Sequence, residues 1–547
     1  MSALGIALLA LGGALWLVAL ARVSLVAARM LQIEEYEARR FLRWGTAPSW
    51  LAHRSVMLGT GIAAVGLIAA AVQRDSAAII AGIAWVAASV TATWWWRWTP
   101  PKRALVLTAR MRRVLGAAAA VAVILAAAPP LLAALGMPVV AAAAVLLLIA
   151  SLAAVAMLVL AGGDLLMRPV ERAVQRRYLR LAARKMSELR PLVVAVAGSY
   201  GKTSTKHILA QMVTGQVEVM PTRKSFNTLM GVTRVINEDL QAQHRLFVVE
   251  MDAYASGEIA AICDLVHPSV SVLTSVGPQH LERFGTMDAI RDSLYEVVAA
   301  TPTDGHAFIY TGDDGGAALA ERASVDRRTV TSYGFESTVH VPDVVATDVH
   351  AEAAGSRFVW RWPGRRLERQ VIIPLLGRHQ VLNVTVALAV VHELGYSLDA
   401  AIAAAASLEP VEHRLQIMPT GGAITVIDDS YNANPVGVHN GLDVLAAMNG
   451  GAKVLVTPGL VELGSAEDAE NRRYGEHAAA VCDRVIVVAA RPAAALTAGL
   501  ERGGLSADRI HLVRSLQEAS AVIARVTRAG DVVLFANDLP DTYRARA

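Results

Sequence analysis

Only two cysteines, Cys263 and Cys482, occur in 547 residues. That scarcity excludes a disulfide framework, and both thiols read as reduced packing residues. Charge is missing in a second, more informative way. Five apolar runs approach the ~20 residues that a membrane span needs: Ala3–Ala21, Ser55–Gln73, Ser76–Trp96, Val114–Gly136 and Val139–Ala161, and none contains Asp, Glu, Lys or Arg. Intramembrane charges mark ion and proton pathways, so their absence argues against a transporter and for an anchor or lipid-binding platform. The first run is not read as a signal peptide, because no positive charge precedes it and four more runs follow. Pro129-Pro130 predicts a kink or break in the fourth run. Trp94, Trp95, Trp96 and Trp98 sit where an interfacial aromatic belt would.

Basic residues lie between the runs. Arg22 to Arg54 is arginine-rich, Arg97 to Arg113 holds six basic residues, and Arg168 to Arg190 is more basic still. Placing all three inside predicts a multi-pass protein of the cytoplasmic (inner) membrane, N-terminus outside and the rest of the chain cytoplasmic. The pI near 9.1 then follows from topology, so nucleic acid is not invoked as a partner, whereas anionic membrane lipids are.

Beyond residue 190 the pattern changes. Short apolar strands at Leu192–Ala197, Leu246–Val249, Val270–Thr274 and Ala307–Tyr310 alternate with amphipathic segments, the signature of a doubly wound, mostly parallel α/β sheet. Val330–Pro374 alternates with period two and predicts a small antiparallel insert, followed by a helix-rich return over Gly377–Leu408. A second, Rossmann-like α/β unit has strands near Ile424–Ile427, Ala452–Val456, Arg484–Val488 and Val532–Phe535, and no second phosphate loop. The run VAVAGSYGKTSTK (Val194–Lys206) supplies the one such loop. Gly198 and Gly201 leave the backbone open, Ser199, Tyr200 and Ser204 complete the turn, and Lys202-Thr203 opens a helix. Amides and a helix N-terminus aimed at an anion make a nucleotide triphosphate site, with Lys202 for terminal phosphates and Thr203 for Mg²⁺. Glu250 ends the strand LFVVE, where a carboxylate can hold the same Mg²⁺.

Val196 stands where a full Walker A loop has its first glycine, and the short form GSYGKTSTK resembles instead the ATP loop of the Mur ligase family. RKSFNTLMGV (Arg223–Val232), VVEMDAYASGEIAAI (Val248–Ile262), VLTSVGPQHLERFGT (Val272–Thr286), GRHQVLNVTVALAV (Gly377–Val390), EHRLQ (Glu412–Gln416) and IDDSYNANP (Ile427–Pro435) are similar to further family motifs in the same order, the last looking like the branch that adds D-Ala-D-Ala. The resemblance covers about residues 190–545. It implies catalytic roles for Lys202, Glu250, His280 and Arg414. Metal would be held by Thr203, Glu250 and His280, and the nucleotide by Asn383, Arg414 and Asp429 with the phosphate loop, His379 flanking the base. Asn227, Tyr431, Asn432 and Asn434 would contact substrate.

The implied domains are a membrane region at 1–163, a basic linker helix at 164–190, a central ATP-binding domain at 191–408 and a C-terminal domain at 409–547. The implied function is an ADP-forming amide ligase of cell-wall peptide synthesis that uses ATP and Mg²⁺. It would join an amino acid or dipeptide to a UDP- or lipid-linked sugar-peptide precursor through an acyl phosphate. Alternatives are a ligase for another acidic or lipid-linked polymer precursor, or a non-catalytic nucleotide-binding membrane scaffold. Five departures from the family pattern stand out. Asp252 replaces a glycine after Glu250, and Ser275 replaces an asparagine. Leu294 occupies the place of a lysine that the family carbamylates to hold a second Mg²⁺. FANDLPDTY (Phe535–Tyr543) stands where a K-G-S-R stretch is expected. The apolar runs occupy the place of the domain that grips a UDP-sugar.

Overall fold

The computed structural model describes residues 3–34, 36–46, 50, 53–95, 105–336, 341–352, 355–418, 424–431, 434–461, 463–488 and 492–537. The chain packs as two compact units, Met1–Arg176 and Arg177–Ala547.

In the first unit, five helices are long and apolar enough to cross a membrane: Ala3–Ile33, Arg54–Val72, Arg74–Trp94, Ala109–Ala134 and Leu152–Leu189. Four correspond to the apolar runs, and the fifth differs. Val139–Ala161 is not one helix, because the chain breaks at Ser151 between Pro138–Ala150 and Leu152–Leu189. The Ser151 hydroxyl donates to Leu147 O, a local bond of the kind that competes with helix continuation. At 13 residues, Pro138–Ala150 rises only about 20 Å, too short for a ~30 Å hydrocarbon core. Pro129-Pro130 does not break its helix, which runs on to Ala134. The pair removes two N–H donors from the helix ladder, yet the helix carries on for one further turn. Trp94 is exposed, while Trp96, Trp98 and the Trp95 side chain lie outside the described residues. The unit's core is rich in alanine, with leucine, valine and a few large aromatics packed among it. Trp16 and Trp50 are fully buried, and their indole N–H groups donate to Leu148 O and Ala153 O across helices. Its buried carboxylates are paired, Glu34 with Arg40, Asp164 with Arg110 and Arg168, and Glu171 with Arg113.

The second unit holds two sheets. The first has nine strands: β1 (Leu192–Ala197), β2 (Val219–Pro221), β3 (Leu246–Glu250), β4 (Val270–Leu273), β5 (His306–Tyr310), β6 (Val330–Phe335), β7 (Val344–Glu352), β8 (Gly355–Trp362) and β9 (Leu367–Ile373). Their order is β2-β3-β1-β4-β5-β6-β7-β8-β9. Pairing is parallel from β2 through β7 and antiparallel from β7 to β9. The segment read as an antiparallel insert is therefore no separate body. It extends the parallel sheet, because Phe358, Trp360 and Trp362 bury into the same core as the helix Arg378–Glu393, and Trp360 donates to Thr385 O on that helix.

The second sheet contains β10 (Gln416–Met418), β11 (Thr425–Asp429), β12 (Lys453–Thr457), β13 (Arg484–Val488), β14 (Ile510–Val513) and β15 (Val532–Ala536), in the order β10-β11-β15-β12-β13-β14. All its pairs are parallel except β10 with β11. The central strands β1, β3 and β4 are buried on both faces, as parallel strands covered by helices must be. Their C-terminal ends meet where the order departs to either side of β1, the place where open α/β sheets bind ligands.

Candidate functional site

The phosphate loop leaves β1 at Gly198 and enters the helix Lys202–Val213. Gly198 has φ +136° and Gly201 φ +84°, and a Cβ at Gly198 would lie 2.1 Å from Thr274 Oγ1. Only glycine satisfies both constraints there. Ser199 Oγ donates to Gly277 O at 3.0 Å and accepts from Gly277 N at 2.9 Å. Tyr200 N donates to Ser275 Oγ, at the position that departs from the family's asparagine. The Tyr200 phenol is buried, which holds its pKa well above the usual range. Ser204 is buried on the first helical turn.

Glu250, at the end of β3, organises the next layer. Its Oε1 accepts from Thr203 Oγ1 and from Asn227 Nδ2, each at 3.0 Å, and its Oε2 accepts from Lys206 Nζ at 2.8 Å. Burial pushes this carboxyl up, but the charge and hydrogen bond of Lys206, the charge of Lys202 and the Asn227 bond outweigh it, so Glu250 stays below the usual carboxylate range. Lys206, one turn beyond Lys202, is fully buried and was not singled out from sequence. A second lysine four residues after the first, on the same helix face, was the available signal.

Lys202 Nζ lies 2.6 Å from Gly198 O, 3.2 Å from Gln279 Oε1 and 3.3 Å from Asp252 Oδ1. The other Asp252 oxygen is 3.9 Å from His280 Nε2. The His280 ring stacks at a tilt on Tyr254, and the Arg283 guanidinium also lies over the Tyr254 ring. Leu294 lines one pocket with Gly198, Ser199, Asp252, Gln279, His280 and Ser293. Glu296 is turned elsewhere, accepting from Gly257 N and Ala260 N at the start of the helix Glu258–Val266. Thr203, Glu250, Asp252 and Gln279 offer hard oxygen donors of the kind Mg²⁺ prefers, so the chemistry of the site fits that ion. Among the described residues, no three His, Cys, Asp or Glu side chains are grouped as a ready-made metal cage.

Asn383 packs beneath the loop. Its Oδ1 accepts from Thr205 Oγ1 and would meet a Cβ on Gly201, while its Nδ2 donates to Gln380. The amide thus faces the phosphate loop. His379 is half-buried, and desolvation of its ring followed by the nearby Arg414 charge lowers its pKa to about 4, leaving a neutral ring at pH 7.

The second sheet contributes from one corner. Arg414 lies between His413 and Leu415, both non-glycine residues with positive φ, a strained arrangement of the kind found at functional turns. Its guanidinium stands 5.0 Å over the Tyr431 ring. Asp429, at the end of β11, accepts from Leu415 N. Burial raises its pKa to about 7 against the opposing Arg414 charge. The Tyr431 hydroxyl hydrogen-bonds Ser225, joining this corner to the Arg223–Val232 stretch. Asn434 caps the helix Pro435–Ala447 by accepting from Gly437 N, and Asn432 lies outside the described residues. The structure therefore brings Lys202, Thr203, Glu250 and Asn227 into one network, sets His280 beside Asp252, and stacks Arg414 with Tyr431 near Asp429. Asn434 is used locally.

The family model described as Mur ligase middle domain matches residues 196–391, and that described as Mur ligase, glutamate ligase domain matches residues 413–537. The chain is 30% identical over 366 residues to the UDP-N-acetylmuramoyl-tripeptide--D-alanyl-D-alanine ligase of Escherichia coli, covering 65% of this chain and 79% of that protein. With the ligase of the same name from Mycobacterium bovis it shares 32% over 364 residues, covering 62% and 69%. Among solved structures, a crystal structure of MurF from Acinetobacter baumannii superposes with TM-score 0.59 at 27% identity, over 66% of this chain and 77% of that one. MurF ligase from Thermotoga maritima in complex with ADP gives TM-score 0.59 at 26% identity, over 66% and 80%.

Proposed function

We propose, from the premise that this chain belongs to the Mur ligase family, that it is a membrane-anchored, ADP-forming amide ligase of cell-wall peptide synthesis, of the D-alanyl-D-alanine-adding type. The observation that carries this reading is the assembly of buried Lys202 and Glu250 with half-buried Thr203 at a glycine-built phosphate loop, with Arg414 and Asp429 presented from the second sheet.

The reaction needs charge neutralisation more than a protein nucleophile. The acceptor carboxylate attacks the γ-phosphorus of ATP, an acyl phosphate forms and ADP leaves. The incoming amine then attacks the carbonyl carbon, inorganic phosphate departs, and the amine gives up a proton. The loop amides and Lys202 hold the phosphates, and Arg414 faces the charge that develops on the transferred group. Thr203 and Glu250 would hold Mg²⁺ with His280, and this ion, when bound, neutralises β- and γ-phosphate oxygens. Asn227 keeps the Glu250 carboxylate oriented. Tyr431, on the loop that meets Ser225, borders the side from which the amine would enter. Asn383 supports the phosphate loop from below and is placed for a role in nucleotide binding.

The membrane reading is part of the proposal. The five helices cross the cytoplasmic membrane with the basic segments inside, residues 1–163 anchoring, 164–190 linking, and 191–408 and 409–547 forming the two catalytic domains beside ATP. Anionic lipids face the basic stretches. Anchoring raises the effective concentration of a membrane-bound acceptor, which favours a lipid-linked sugar-peptide alongside a UDP-linked one. The test incubates purified full-length protein with ATP, D-Ala-D-Ala and a panel of UDP- and lipid-linked tripeptides, following ADP release. Acceptor-dependent ADP that vanishes in Lys202→Ala is expected, and no acceptor-dependent ADP across the panel would refute the ligase.

A further inference from the structure

Two imidazoles face each other across neighbouring helices of the second unit. His439, on the helix Pro435–Ala447, and His477, on the helix Glu467–Val481, bring their Nδ1 atoms within 2.8 Å, with the rings nearly parallel. His477 Nε2 lies 3.4 Å from Asp443 Oδ1, one turn beyond His439 on the first helix. We propose that His439 and His477 form a two-imidazole site for a divalent transition-metal ion of tetragonal geometry, copper(II) or nickel(II) in class, with Asp443 orienting His477 from behind. The site stands independently of the ligase reading and lies outside the stretches that resemble family motifs.

Asp443 fixes the tautomer of its partner. A carboxylate oxygen accepts and does not donate, so the His477 proton sits on Nε2 and a bare lone pair on Nδ1 points at His439. A neutral ring with its far N–H on a carboxylate is the arrangement that metal-ligating histidines adopt. The His439 ring is braced as well, by a T-shaped contact at 6.4 Å with the fully buried Tyr474. The separation then selects the ion. Nitrogens 2.8 Å apart and each about 2.0 Å from a metal subtend about 90°, the angle between neighbouring ligands of a tetragonal ion. A tetrahedral ion would need them about 3.3 Å apart. Imidazoles completed by water oxygens in a tetragonal field suit copper(II) and nickel(II). Solvent reaches the place, because the His477 and Asp443 side chains are 30% and 65% exposed. Water would fill the other positions, since no third His, Cys, Asp or Glu completes the set among the described residues. The other charges acting on His439, Glu470 and Arg473, are paired with each other at 2.9 Å, so Arg473 does not oppose an incoming cation with its full charge. A bound ion would pin the helix that follows the Asp429–Tyr431 corner to its neighbour.

Untagged full-length protein in detergent is titrated with Cu²⁺ in glycine buffer, which holds the ion back from weaker surface groups, and bound Cu²⁺ is read by electron paramagnetic resonance. Wild type is expected to take one equivalent, with two equatorial imidazole nitrogens in the hyperfine pattern. His439→Gln and His477→Gln should each lose the two-nitrogen signal. Asp443→Asn should keep both nitrogens and weaken binding by about tenfold, a loss that a surface histidine acting alone does not predict. Asp443 is largely exposed, so this variant carries the test if a histidine variant fails to fold, which amide exchange of the metal-free proteins reveals. No Cu²⁺ taken up by wild type against glycine, a signal from a single nitrogen, or unchanged affinity in Asp443→Asn would each overturn the site and leave two rings that share one hydrogen bond.

Discussion

Replacing Lys206 with methionine tests whether Glu250 is held as an anion by its buried partner. The pair has side-chain exposures of 0% and 2% and a separation of 2.8 Å. Methionine keeps most of the stem volume, so the substitution removes chiefly the charge and two hydrogen bonds, to Glu250 and to Lys224 O. Removing one member of a buried ion pair costs about 3–5 kcal/mol. Glu250 retains Thr203 and Asn227 as donors, which places the expected loss at the lower end, about 3 kcal/mol. That corresponds to roughly a hundredfold loss of hydrogen-exchange protection for amides of β1 and β3 that open only by unfolding the domain. Exchange read by mass spectrometry separates these strands from the membrane helices in the full chain. The double variant Lys206→Met, Glu250→Gln should recover much of the loss, because a neutral amide needs no cation. The pH sign follows from the depressed Glu250 pKa: its stabilisation is present above the usual carboxylate range and is lost as pH falls through the lower folded value. Glu250→Gln should therefore make the acid slope of β3 protection shallower. Protection in Lys206→Met within twofold of wild type, or a double variant as costly as the two singles summed, would refute the reasoning.

Lys202→Ala should lower ADP formation about a thousandfold through lost transition-state charge stabilisation; near-normal turnover would remove the loop from the mechanism. Gly198→Ala should abolish binding of a fluorescent ADP analogue, since its Cβ would fall 2.1 Å from Thr274 Oγ1, and binding at wild-type affinity would contradict the loop geometry. A cysteine at Arg74 or Asp75 should be labelled in intact cells by an impermeant thiol reagent and one at Ser465 should not, against a low background because Cys263 and Cys482 are buried; the reverse pattern would overturn the topology. Asp429, raised to about 7 chiefly by burial, contributes stability that is complete below the ordinary carboxylate range and lost as pH rises through about 7. Protection of β11 should thus fall between about pH 4 and pH 7 and level off above that, and Asp429→Asn should flatten the fall.

Much of this protein was legible as local pattern. The strands β1 and β13 lie where their apolar runs place them, because a strand buried on both faces leaves a continuous Val/Ala/Leu signal. The glycines and Lys202-Thr203 announced the phosphate loop, since a tight turn into a helix needs those residue types whatever surrounds it. Length and hydropathy alone likewise identified four of the five long apolar helices. Tertiary structure decided the rest. Nothing local in Val330–Pro374 says that β7 joins β6 in parallel, because that choice depends on burying Trp360 against a helix that follows in sequence. The break at Ser151 is invisible to hydropathy, since both sides are equally apolar. Lys206 and Glu250 are 44 residues apart, and a lysine's burial is set by the sheet and helix that close over it. Asp252 and Leu294 looked like unrelated departures along the chain, and only the packing of the helix Met287–Ala300 near the end of β3 puts them in one pocket. Spacing along the chain reveals groups that act through their own backbone; groups that act through each other's charge become visible only when the fold brings them within a few ångströms.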